Sequence, residues 1–184
     1  CSNAPSIIID ESSYTVKSFP TKHRIPTCGF VISEKKDAYK LKPNIRKKFR
    51  LNHLEIRKLK RGEDIEKDGE LQVNSKFCNP PVSERSYAFV SDTSYSQKVV
   101  NEVANCTLLY HEATFEKRDD KIAKKTFHST SEDAARVAKE ANVGSLLIGH
   151  FSNRYRDLST LLNETKEVFK NSELSQEGKT YSLN

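Results

Sequence analysis

Apolar positions in this chain follow two rhythms, and the switch between them predicts most of its elements. Residues 86–91 are a short apolar run of strand type, followed by 96–105, where Val99, Val100 and Val103 share one helical face. A second run, 107–110, leads through a charged connection at 116–125 to a helix over 131–141. Thr130 or Ser131 is placed to cap that helix, and Ala134, Ala135, Val137 and Ala138 turn inward. A third run, 145–148, precedes a helix over 158–169 in which Leu161, Leu162, Thr165 and Phe169 recur at helical spacing. Earlier, 6–9 and 13–19 read as strands, the second with Tyr14, Val16 and Ser18 on one face. A third strand, 28–33, returns after a turn from Pro20 to Pro26. Strands alternating with helices predict an α/β fold (α+β by some schemes), with the opening strands as a meander feeding the same sheet.

Residues 34 to about 85 break this rhythm. They are Lys-rich, then acidic around 62–70, and close on Pro80-Pro81, with one short helix predicted near 51–59. Such a stretch reads as an insertion. Charge sharpens the division. Residues 35–61 hold twelve Lys/Arg against two acids, a balance of +10, so the rest of the chain carries −4 to reach the net +6. A basic block of this kind suits either a polyanion-binding arm or a solvated loop.

At 184 residues, one domain with a real core is the default size expectation. The apolar fraction is only 35%, which suits a domain with solvated appendages or one whose missing partner covers part of its surface. No apolar stretch is long enough to span a membrane, and no secretory leader is visible. Cys1, Cys28, Cys78 and Cys106 are widely spaced, so free thiols are expected rather than a disulfide frame or a structural zinc site. Ser2-Asn3-Ala4 resembles a tag scar, and the chain contains no Met.

The three regular strands each run into residues that can ligate a metal or move a proton: Asp92, the pair His111-Glu112, and His150. A fourth strand follows closely on His23. In a mostly parallel sheet such strand ends share one edge, so a common pocket is expected there. Each residue also has a plain reading. Asp92 would cap a helix, His150 and His111 would be packed histidines, and His23 would lie on the surface. Together, a carboxylate and imidazoles supply borderline-hard ligands of the kind zinc takes, and a further His-Glu pair supplies an oriented proton donor.

The order and spacing of His111-Glu112-Ala113-Thr114, His128-Ser129-Thr130 and Gly149-His150-Phe151-Ser152-Asn153-Arg154-Tyr155 resemble the ribonuclease Z family. That family comprises tRNA 3′-processing endonucleases of the metallo-β-lactamase superfamily. Lys22-His23-Arg24-Ile25-Pro26, Lys58-Leu59-Lys60-Arg61-Gly62-Glu63-Asp64 and Ser91-Asp92-Thr93 match further blocks, so the resemblance covers nearly everything after residue 4. It implies two zinc ions bridged by Asp92, with His23 completing one site and His150 the other. It further implies His128 as the group that protonates the leaving 3′ fragment, oriented by Glu112. Ser152, Arg154, Lys58, Lys60 and Arg61 would contact substrate, a tRNA precursor, and the parent enzyme would be a cytoplasmic homodimer without a membrane anchor.

Two departures qualify the match. The family's His-x-His-x-Asp-His motif is absent, so residues 5–184 resemble the C-terminal part of the αβ/βα sandwich, with a basic insertion at about 34–85. Such a half would expose a sheet face, favour self-association and lack activity by itself. The family's Gly-Pro arm signature is also missing, the corresponding stretch reading Phe49-Arg50-Leu51-Asn52-His53-Leu54. Rival expectations are a non-catalytic RNA-binding module that uses the basic block, and another metallo-β-lactamase-fold phosphodiesterase.

Overall fold

The computed structural model describes residues 4–35, 39–80 and 85–183. The tag-like residues 1–3, residues 36–38 of the basic block and Pro81 of the closing proline pair lie outside the described residues. The chain divides into two compact units, Cys1–Glu34 with Arg85–Asn184, and Lys35–Glu84.

In chain order the strands and α-helices are β1 (Ser6–Asp10), β2 (Tyr14–Pro20), β3 (Cys28–Glu34), β4 (Lys40–Leu41), α1 (Ile45–Lys48), α2 (His53–Lys60), β5 (Ile65–Lys67), β6 (Glu70–Gln72) and β7 (Cys78–Asn79). There follow β8 (Ser86–Val90), α3 (Gln97–Glu102), β9 (Leu108–Glu112), α4 (Asp120–Thr126), α5 (Ser131–Glu140), β10 (Ser145–Gly149), α6 (Ser159–Val168) and β11 (Ser172–Leu174). The regular elements predicted after residue 86 are all present. Residues 116–125, expected as a connection, contain most of α4, and β11 has no counterpart among the predicted strands. Of α4 only Ala123 is buried, so there was no apolar stripe to read.

The first unit is built on a seven-stranded sheet in the order β1-β2-β3-β8-β9-β10-β11. Pairings from β1 to β8 are antiparallel and those from β8 to β11 are parallel. The sheet is therefore mixed rather than mostly parallel. Connection length decides this: residues 21–27 can only return β3 alongside β2 in the opposite sense, whereas the helices between β8, β9 and β10 permit parallel crossovers.

Helix α5 begins at Thr130, whose hydroxyl accepts the Asp133 N–H while the Asp133 carboxylate accepts the Thr130 N–H. Its inward Ala134, Ala135, Val137 and Ala138 are fully buried, and these small side chains let the helix lie close to the sheet. With Val99, Val100 and Val103 after β8, and Leu161 of α6, they join Ala88, Val90, Leu109, Leu146 and Ile148 in one core. Each larger aliphatic chain buried this way contributes roughly 1.5–3 kcal/mol. The opposite sheet face carries Phe30, Ile32, Tyr87, Phe89 and Tyr110, with Phe89 stacked on Tyr110 at 4.8 Å between ring centres. Among the described residues no helix of this unit covers that face, and Ile32 and Phe89 remain 41% and 37% exposed. Cys106 is a buried free thiol, as is Cys78 of the second unit, whereas Cys28 is disulfide-bonded, a departure from the expectation of four free thiols.

The second unit encloses Leu51, Leu59, Ile65, Phe77 and Cys78, with Tyr39, Leu41, Ile45, Phe49 and Ile56 packed around them. Helix α2 starts at Asn52, which forms a reciprocal capping pair with Glu55. Buried Asn74 ties the end of that helix down by donating its amide to the carbonyls of Leu59 (2.7 Å) and Glu63 (3.2 Å). Among the described residues its strands pair as the short ladders β4–β7 and β5–β6.

Candidate metal and proton-transfer site

Parallel strands β8, β9 and β10 point their carboxyl ends to one edge, which brings Asp92, Glu112 and His150 together. Both Asp92 (φ 51) and His150 (φ 58) take left-handed backbone immediately past their strands. Asp and His tolerate this region better than branched residues do, and each such turn redirects its side chain. Gly149 is needed just before His150 because a Cβ there would lie 2.3 Å from the Tyr110 hydroxyl. That hydroxyl also receives the His150 N–H and bonds Ser175, while burial pushes its pKa up.

His128 arrives from another direction. Phe127 (φ 61) ends α4 in left-handed conformation, and the His128 N–H bonds back to the Ala123 carbonyl at 3.0 Å. This is a Schellman closure with Phe in the place glycine usually fills. The next residues then run beside β9's extension: Phe115 bridges Thr130, and the Ser129 hydroxyl donates to the Thr93 carbonyl at 2.7 Å.

The turn that carries His23 is stitched to the Asp92 turn. Lys22 N–H donates to the Thr93 hydroxyl at 3.1 Å, and Ser94 N–H returns to the Lys22 carbonyl at 2.9 Å. Thr21 and Thr27 hydroxyls lie 3.2 and 3.1 Å from the Asp92 carbonyl and 2.6 Å from each other. Two protons thus serve three close oxygen pairs, which holds the strained turn in place whichever pair is bonded.

At the centre is Glu112, with no solvent exposure. Its carboxylate accepts the Thr93 N–H (2.5 Å), the Ser129 N–H (3.1 Å), the Thr114 hydroxyl (2.5 Å) and His128 Nδ1–H (3.0 Å). Ligand atoms of Asp92, Glu112, His128 and His150 all lie within 4.8 Å of one another. Glu112 is the least suited of the four to hold an ion, because its lone pairs are already taken. Asp92 and His150 carry a different signature. They are 44% and 43% exposed, and His150 Nε2 lies 3.7 Å from Asp92 Oδ1.

Every histidine at this edge has Nδ1 engaged by the protein. His23 Nδ1 bonds the Phe127 carbonyl at 3.0 Å, His128 Nδ1 bonds Glu112, and His150 Nδ1 bonds the Thr114 hydroxyl at 2.9 Å. The rings are neighbours, with centroids 5.1 Å apart for His23–His128 and 5.4 Å for His128–His150. Tying one ring nitrogen to an acceptor or relay leaves the other to meet a cation or a substrate oxygen, the usual arrangement around metal-ligating imidazoles. The donor set therefore fits a divalent metal held by oxygen and imidazole nitrogen. His23 stands outside the four-residue cluster, although its ring adjoins His128.

His111 does not join the site. It points away from Glu112 along the strand, is fully buried, and bonds the Glu112 carbonyl through Nδ1 at 2.7 Å. Burial lowers its pKa, and its Nε2 has no partner. Ser152 donates its N–H to the Thr114 carbonyl at 3.1 Å, and Arg154 lies over the Phe115 ring at 5.0 Å, bonded to the Ser152 hydroxyl. Lys58, Lys60 and Arg61 belong to the second unit, at the end of α2, and are exposed there. Sequence reasoning assigned no task to Thr93, Thr114 or Ser129. The signal for Thr114 and Ser129 was their presence beside Glu112 and His128 in the blocks that carry the resemblance, and nothing local marked the Thr93 amide.

No family model matches the sequence. A curated protein named Ribonuclease Z from Phocaeicola vulgatus is 40% identical over 172 residues, covering 93% of this chain and 56% of that protein. Another so named, from Cytophaga hutchinsonii, is 39% identical over 176 residues, covering 95% and 56%. Homology to ribonuclease Z runs through nearly the whole chain. The chain spans just over half the length of these relatives. Among solved structures, a metallo-β-lactamase fold protein from Bacillus subtilis aligns with a TM-score of 0.61 at 19% identity, over 95% of this chain and 52% of its own. The short form of human tRNase Z aligns with a TM-score of 0.59 at 21% identity, over 99% and 48%. The fold is thus that of part of a metallo-β-lactamase domain, as the resemblance implied.

Proposed function

We propose that the full-length protein carrying this chain is a zinc-dependent endoribonuclease that removes 3′ trailers from tRNA precursors. In this reading residues 5–184 form the C-terminal part of its metallo-β-lactamase domain, with a basic insertion at about 34–85. The observation that carries it is the set of three histidines, each tied through Nδ1 and gathered beside Asp92 at one sheet edge. Homology to proteins named Ribonuclease Z supports the choice of substrate.

Asp92 and His150, whose ligand atoms already lie together, would hold the metal, and His23, outside that cluster with its ring beside His128, would complete the set. A bound divalent ion supplies a water acidic enough to attack at neutral pH and charge to stabilise the phosphate. His128 delivers a proton from Nε2 to the leaving 3′ oxygen, while Glu112 keeps Nδ1 protonated and the ring fixed. The four donors on Glu112 prevent it from swinging toward the ion. Beside His128 opens a hollow of about 440 Å³ lined in part by Lys22, Lys124 and Arg136 together with Asp120 and Asp133, with Lys124 paired to Asp120. Ser152 and Arg154 contact substrate from the next turn, and Lys58, Lys60 and Arg61 engage tRNA backbone by charge. The reading includes a cytoplasmic homodimer.

The test is cleavage of a precursor tRNA by the full-length protein, with and without a chelator, and by His128→Ala. Zinc-restorable cleavage that falls roughly 10²–10⁴-fold in His128→Ala is expected, the range of a lost general acid. Salt-dependent tRNA binding without cleavage would instead favour the non-catalytic RNA-binding reading. The 184-residue chain alone is expected not to cleave, because it lacks the paired-histidine motif.

A further inference from the structure

We propose that Thr114 is a positioning residue that relays the Glu112 carboxylate to His150 and fixes the tautomer in which His150 Nε2 is the ligating atom. The inference rests on the metal-site reading above only for what Nε2 would meet. Its physical basis is a count of protons. The Thr114 hydroxyl lies 2.5 Å from Glu112 Oε2 and 2.9 Å from His150 Nδ1. A hydroxyl has one proton and two lone pairs, whereas a carboxylate only accepts. Two oxygens 2.5 Å apart in a buried setting need a proton between them, so the hydroxyl proton sits on the Glu112 contact. Only lone pairs of Thr114 Oγ1 then face His150, so Nδ1 must carry hydrogen and donate it. Nε2 keeps its lone pair, on the side of Asp92, whose Oδ1 lies 3.7 Å away.

The reverse orientation fails on the same count. If the hydroxyl donated to Nδ1, Thr114 Oγ1 and Glu112 Oε2 would oppose each other as bare acceptors with no water to intervene. One buried carboxylate therefore sets two histidines, His128 directly and His150 through Thr114. The left-handed turn at His150 matters here because it swings the ring back over Thr114, 36 residues earlier in the chain. Among the described residues, no other side-chain hydrogen bond restrains the His150 ring.

Histidine-selective ¹⁵N labelling of the metal-free full-length protein, read by long-range ¹H–¹⁵N correlation at a pH where the ring is neutral, tests this. The expected result is the Nδ1–H tautomer at His150 in the wild type and in Thr114→Ser, and loss of that preference in Thr114→Val. Zn²⁺ affinity, measured by competition with a chromophoric chelator, should fall roughly 10–100-fold in Thr114→Val, as for other outer partners of ligating imidazoles, and recover in Thr114→Ser. Should Thr114→Val fail to fold, the wild-type tautomer and Thr114→Ser decide. Nε2–H at His150 in the wild type, or an unchanged tautomer in Thr114→Val, would overturn the relay. Absence of tRNA cleavage with the Nδ1–H tautomer intact would overturn the nuclease reading and leave the relay standing.

Discussion

The two units of this chain handle polar groups in opposite ways. In the first, polar chemistry is concentrated and buried: one carboxylate without solvent exposure takes four donors at the edge of a seven-stranded sheet. In the second, cations outnumber acids around a small core, with Arg46, Lys47 and Lys48 ending α1 and Arg57, Lys58 and Lys60 ending α2. A buried network is weakened greatly when a single member is removed, because the remaining groups have no water to turn to. Exposed cations act by their sum, and each is separately dispensable. The first unit is thus organised around a geometry, the second around a small core with a charged exterior.

The largest expected effect tests whether the second unit stands on its own core. Phe77 is fully buried there, edge-on to Phe49. Phe77→Ala should cost about 3–5 kcal/mol. Hydrogen exchange should show faster exchange at β5 and β6, with β8, β9 and β10 unchanged. Equal loosening of both sets would erase the contrast.

A smaller effect concerns the buried polar groups of the first unit. Burial lowers the pKa of His111 below its ordinary 6.5. Above 6.5 the ring is neutral in folded and unfolded chains alike and contributes no pH dependence. As pH falls below that value, the unfolded chain takes up a proton that the folded one refuses, so stability declines with acidification. The urea midpoint should drop more between about pH 7.5 and 5.5 in the wild type than in His111→Leu. An identical drop in both would mean that His111 is protonated without penalty.

The smallest effects belong to the exposed cations. Replacing Lys58, Lys60 or Arg61 singly by Ala should weaken tRNA binding by less than about 1 kcal/mol. Each replacement should also lower the salt-dependence slope by about one for every phosphate it ceases to neutralise. Cleavage of bound tRNA should keep its rate. A single one of these changes that abolished cleavage would give the second unit a geometric task after all.

Legibility followed the same divide. Strand and helix positions after residue 86 were readable because Leu146, Leu147 and Ile148 form a short continuous apolar run, whereas Ala134, Ala135, Val137 and Ala138 recur at helical spacing. Within residues 35–84 only the helix near 51–59 was readable, because the core there is assembled from isolated positions such as Leu51, Ile65 and Phe77, separated by turns. Strands of two or three residues have no measurable alternation. The opening meander was legible, whereas the share of antiparallel pairing in the sheet was underestimated, since strand direction depends on connection length rather than on side-chain pattern.

By itself the sequence determined which residues lie at strand ends, because periodicity and turn signals act over a few neighbours. It therefore nominated Asp92, the pair His111-Glu112 and His150, with His23 beside a fourth strand, and the motif blocks gave His128 its role. Tertiary structure alone decided what those residues do to one another. The Glu112 partners Thr93 and His128 are 19 and 16 residues away, and Thr114 meets His150 across 36. Which nitrogen of each ring is tied, and which is left to face outward, depends on distances of a few tenths of an ångström set by the folded sheet, and no local pattern encodes them.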